Sequence, residues 1–139
     1  MKTKTLIIYV LFLISSVTFG QTYSYNLKTV KALVQTSNGN DYRTLNAYQG
    51  PYSFVFETPN DPQIKRLFTL LYPGQNIAPG QPWYGLLQDS GYIEKNGVIY
   101  KKSIYYYTKT NERVMVMIAN DYSQIIIFNS DDTIWEFTN

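Results

Sequence analysis

Chemistry in this chain falls to carboxylates, lysines and hydroxyls, because the sequence has no histidine and no cysteine. The usual general base, the thiolate nucleophile and the common zinc ligands are therefore missing. Ser-His-Asp and Cys-His catalysis cannot be built from one copy. Glycoside hydrolysis needs two carboxylates several ångströms apart in one cleft. Glu57, Glu94 and Glu136 are the candidates for a carboxylate-dependent hydrolase, but no spacing in the sequence pairs them. Ser103 stands two residues from Lys101 and one from Lys102, which is not the helical Ser-x-x-Lys arrangement. Asp131-Asp132 invites a calcium reading. Asn129 to Thr133 nevertheless lacks the glycine and the closing glutamate of a calcium loop. The residues point away from an enzyme and imply no metal and no cofactor.

Binding chemistry is better represented. The chain carries 14 tyrosines, 7 phenylalanines and 2 tryptophans, and tyrosine joins an apolar body to a polar tip. Tyr105 and Tyr107 share one face of an expected strand, about 6.6 Å apart, where flat rings could stack on a sugar or seat a protein partner. Trp83 and Tyr84 follow a stretch, Pro73 to Pro82, too rich in proline and glycine for regular structure. Such a loop can form a rim. Trp83, Tyr84, Tyr105 and Tyr107 are thus the candidate binding surface. In the competing reading Ile104 and Tyr106 face the core, with Tyr105 and Tyr107 under a helix. A single helical turn from Pro82 through Gln88 would likewise make Trp83 and Leu87 core residues.

Those residues need a frame, and its clearest part is C-terminal. Asn96-Gly97 between β-forming runs is a strong hairpin signal. Strands are expected over Tyr92–Glu94, Val98–Tyr107, Arg113–Ala119, Gln124–Asn129 and Thr133–Phe137, a meander of about five. Its inner strands are apolar on both faces: Val114, Val116 and Ile118 point one way, Met115 and Met117 the other. Something must cover the second face. The expected cover is an amphipathic helix opened by Asp61-Pro62, with Ile64, Leu67, Phe68 and Leu71 at i, i+3, i+4, i+7, and stopped by Pro73-Gly74. A strand over Ile64–Tyr72 is the alternative.

Further strands are expected at Tyr42–Tyr48 and Tyr52–Glu57. Tyr23, Tyr25 and Leu27 share one parity and Val30, Ala32 and Val34 the other, which a bulge near Lys28–Thr29 reconciles. A short helix over Leu27–Val34 is the rival. The expected fold class is α+β: an antiparallel sheet of six to eight strands with one main helix packed on it.

Residues 1–20 have the layout of a secretory signal peptide. Lys2 and Lys4 precede an apolar run from Leu6 to Ile14, and small or polar residues lead to Gly20. Cleavage before Gln21 would leave a single β-rich domain, Gln21 to Asn139, working in the periplasm or outside the cell. With Lys2 and Lys4 gone, ten basic residues face ten acidic ones. That balance argues against nucleic acid and against membrane-surface binding. Lys95, Lys101, Lys102, Lys109 and Arg113 read as a solvated sheet edge. The expected role is non-catalytic: a protein-interaction module, with a second copy among its candidate partners. The alternative is a binder of carbohydrate or of a small apolar ligand.

Overall fold

The computed structural model describes residues 21–45, 50–58, 63 and 65–139. Residues 1–20, Asp61-Pro62 and Ile64 lie outside the described residues. Nine strands make one antiparallel sheet: β1 Gln21–Thr36, β2 Gly39–Leu45, β3 Pro51–Glu57, β4 Leu67–Leu71, β5 Tyr84–Lys95, β6 Val98–Tyr107, β7 Glu112–Ala119, β8 Gln124–Phe128 and β9 Thr133–Thr138. From β3 to β9 each strand pairs with the next in sequence, and β9 pairs back onto β1. The sheet therefore closes on itself as an eight-stranded up-and-down barrel, with β2 standing outside the ring. Closure leaves the ring strands without the open edges that invite unwanted pairing.

β1 does three jobs along its length. Gln21–Asn26 pair with β3, Val30–Thr36 pair with β2, and the opposite edge pairs with β9 from Asn26 to Ala32. The register shifts between Leu27 and Thr29. This is the bulge expected from the parity switch, and it keeps Tyr25, Leu27 and Val30 against one interior cluster. The short helix over Leu27–Val34 does not form. The five-strand meander also forms, as β5 to β9, with its first strand reaching back to Tyr84 rather than beginning at Tyr92.

The α+β expectation is overturned. Among the described residues there is no helix, and the sheet has nine strands instead of six to eight. Leu67–Leu71, read as the second half of the covering helix, is β4, paired with β3 over its whole length and with β5 at Leu67 and Phe68. An apolar run buried on both faces satisfies the helical spacing and the strand alternation together. Phe68 and Leu70 point inward, while Thr69 and Leu71 are buried on the outer side. The turn from Pro82 to Gln88 is likewise strand from Tyr84 onward.

The interior explains how a chain without disulfides holds together. Tyr25, Phe54, Phe56, Phe68, Tyr84, Tyr105, Val116, Ile125, Ile127 and Phe137 come from eight different strands and meet in one buried cluster. Each fully buried side chain of this size contributes about 1.5–3 kcal/mol over exposure. Phe54 touches the rings of Tyr25, Phe56, Phe68 and Phe137, at centroid distances of 4.9–6.5 Å.

The second apolar face of the meander is covered by the chain's own hairpin. β5 carries two register shifts, one of them around Gly91, whose φ of 95° suits glycine. Beyond them the β5–β6 tip folds across the outside of β7–β9. There Tyr100, Met117, Ala119 and Ile126 form a second buried cluster, with Val98 against it. Lys95 at the tip reaches to 3.8 Å from Glu136 on β9, and the Tyr100 hydroxyl donates to Gln124 at 2.8 Å.

Candidate functional site

Alternation along the strands brings inward side chains to the two ends of the barrel. At one end the inner ends of β4 to β9 surround a cavity of about 500 Å³, a size that suits a small ligand. Its walls are Leu70, Tyr84, Tyr107, Val114, Ile127 and Trp135. The Pro/Gly loop overhangs it with Gln75, Gly80, Gln81 and Pro82, and the two turns between β6 and β7 and between β8 and β9 supply Lys109, Thr110, Asn129, Ser130 and Asp131. These turns share one end because two antiparallel strands separate them.

Two aromatic walls face each other. On one side Phe68, Tyr84 and Tyr107 stack in a row, 4.6 Å and 4.2 Å between centroids with interplanar angles of 13° and 10°. On the other, Tyr72 stands edge-on to Trp135 at 6.3 Å and to Tyr52 at 5.5 Å. The row begins in the buried core at Phe68 and ends at half-buried Tyr107 on the cavity wall. Burial raises the Tyr84 phenol well above its ordinary range and the Tyr107 phenol in the same direction. They stay neutral at any working pH, able to give and accept hydrogen bonds but not to act as bases.

The four candidate residues do not act as one surface. Tyr84 and Tyr107 line the cavity together. Tyr105 is 2 % exposed in the barrel interior, its phenol pushed up to about 12 by burial. Trp83 does not line the cavity; its backbone is clamped to the β6–β7 turn, its N–H donating to Thr108 Oγ1 at 2.9 Å and its carbonyl accepting from Thr108 N at 3.0 Å. The expected face-sharing of Tyr105 and Tyr107 holds, with Ser103 beside them and Ile104 and Tyr106 turned outward. Trp135 and Tyr72 were missed. The available signal was parity: Trp135 pairs with Ile127 and must share its inward face.

The carboxylates are spent elsewhere. Glu136 accepts from Thr29 at 2.8 Å and from Lys31 at 3.2 Å on the outer face. It lines a separate groove with Lys31 and Lys95. Glu57 and Glu94 are exposed and border none of these cavities. Asp131 caps its own turn, accepting from the backbone and hydroxyl of Thr133. Among the described residues no three acidic side chains gather as a metal would need. The chain matches no protein-family model, no curated protein and no solved structure.

Proposed function

We propose that this is an exported, non-catalytic binding module. Its ligand is a small molecule with a flat apolar face and a hydroxyl-bearing edge, for which a sugar is the best-fitting class. One observation carries the reading: a cavity with two facing aromatic walls opens beneath a rim of amide, hydroxyl and ammonium groups. Pyranose rings offer C–H faces to aromatic planes and hydroxyls to such a rim, the mixture that small-ligand sites use for affinity and orientation. The leader-like residues 1–20 support export, and the scattered carboxylates favour binding over hydrolysis. A glycan array and a titration of tryptophan fluorescence test this, since Trp135 lines the cavity. Binding with a fluorescence change that Trp135→Phe removes is the expected result. Silence in both assays retires the proposal.

A protein-interaction role is the second reading, and the β5–β6 hairpin favours it. Leu87, Tyr92, Ile93 and Ile99 are exposed there, Tyr92 by 68 %, enough to attract a partner or a second copy. Sedimentation of the purified protein separates these cases. Self-association that Tyr92→Ser abolishes supports the interface, and a monomer at all concentrations removes self-association.

A further inference from the structure

We propose that the barrel end opposite the aromatic mouth binds a small organic anion, a carboxylate or phosphate monoester with an apolar body. A cavity of about 320 Å³ lies there, with Tyr105 and Ile118 at its base and Lys65, Arg66 and Lys101 around it. The three cations face one carboxylate, Asp89. That group is already engaged: Ser103 donates to it at 2.9 Å and Lys101 lies 3.3 Å away. Arg66 makes no ion pair among the described residues.

Aromatic rings hold Arg66 instead. Its guanidinium carbon sits 4.7 Å from the centre of Phe56 and 5.4 Å from that of Tyr122. Cation–π contact of this kind holds the guanidinium in place without an acid from the described residues pairing with it. Tyr122 is positioned at a cost, because its φ of 60° is one that side chains other than Asn and Asp rarely adopt. Its carbonyl is held at 2.7 Å by the hydroxyl of Tyr25, and its ring stacks at 4.8 Å on Tyr23. Tyr122, braced in this conformation, thus steadies a cation that no acid among the described residues pairs with.

Ser103 is 4 % exposed and its hydroxyl donates a hydrogen bond to Asp89, so the Ser-Asp-Lys grouping presents no open nucleophile. Electrostatic capture is what remains. Charge-assisted bonds from Arg66 would seat the anion, and its apolar body would lie on Tyr105 and Ile118.

Heteronuclear NMR titration of the purified protein at low salt, with benzoate, phenyl phosphate and neutral benzyl alcohol, tests the site. At least one anion is expected to shift the amides of Ser103, Asn120 and Tyr122, with benzyl alcohol at least tenfold weaker; which anion binds separates carboxylate from phosphate ligands. Arg66→Gln should weaken binding at least tenfold. Asp89→Asn, which keeps an acceptor for Ser103, should tighten it several-fold, a gain that misfolding cannot mimic. Equal binding of alcohol and anions, no shifts at millimolar anion, or Asp89→Asn without effect would overturn the proposal.

Discussion

The ring of Tyr84 lies 4.2 Å from that of Tyr107, with only 10° between their planes. The two side chains come from neighbouring strands paired at these very residues. Tyr84 is buried and Tyr107 is half-buried at the cavity. Both rings line the cavity, but Tyr84 is also part of the buried core, and the stack joins core to site.

Their substitutions should therefore part company. Tyr84→Ala empties a buried position between Phe68 and Tyr107 and should cost about 3–5 kcal/mol. Tyr107→Ala removes a partly solvated ring and should cost roughly 1–2 kcal/mol, while abolishing ligand binding. Urea unfolding of both variants, followed by ligand titration of Tyr107→Ala, checks the pair of outcomes.

Glu136 fastens the bulged part of β1 and the hairpin tip to β9. Burial works against its charge, but Thr29, Lys31 and Lys95 outweigh that and hold its carboxyl below the ordinary 4.5. A lowered folded value gives stability that is present above the unfolded value and lost as pH falls through the folded one. Glu136→Gln should cost about 0.5–1 kcal/mol at neutral pH, discounted for partial exposure. The gap from wild type should shrink below about pH 4. Chemical denaturation at pH 7 and pH 3 reads both values.

At the alkaline end the sign reverses. Burial pushes Tyr105 up to about 12, from an ordinary value of 10.0, and raises Tyr25 and Tyr84 further. A raised folded value gives stability that is complete below the unfolded value and lost as pH climbs toward the folded one. Stability should decline above about pH 10. The phenolate absorbance of the buried rings should rise only in a phase that coincides with loss of the β-sheet circular dichroism signal. A single phase with the fold intact would contradict the burial of these rings.

The β5–β6 turn offers a test of local geometry. Asn96 and Gly97 have φ of 52° and 79°, the paired positive angles of a type I′ hairpin. An added Cβ on Gly97 would meet nothing within 4 Å, so Gly97→Ala should cost only the backbone term, roughly 1 kcal/mol. Thermal and urea unfolding measure it.

Legibility in the sequence followed the local signals. Asn96-Gly97, the parity switch at Lys28–Thr29 and the short links after Tyr107, Ala119 and Phe128 each specify their own geometry, and those strands were readable. Barrel closure was not, because the pairing of β1 with β9 joins residues such as Leu27 and Phe137 that share no local pattern. The meander's two apolar faces correctly required two covers. Closure supplies one and the curled hairpin the other, so no helix was needed. β4 was misread because Leu67, Phe68, Leu70 and Leu71 fit both periods. Of the cavity lining, Tyr107 was singled out by type and parity and Tyr84 by its place after the Pro/Gly loop, whereas Tyr72 and Trp135 reach the cavity only through closure.

The most direct test of the aromatic mouth is a heteronuclear NMR titration of the purified protein with a panel of mono- and disaccharides. The expected result is saturable shifts of the Trp135 indole N–H and of the Tyr107, Thr110 and Asn129 amides, with the outer hairpin around Tyr92 unmoved. Sugars that shift only the hairpin, or that leave the Trp135 indole untouched at saturating concentration, would contradict it.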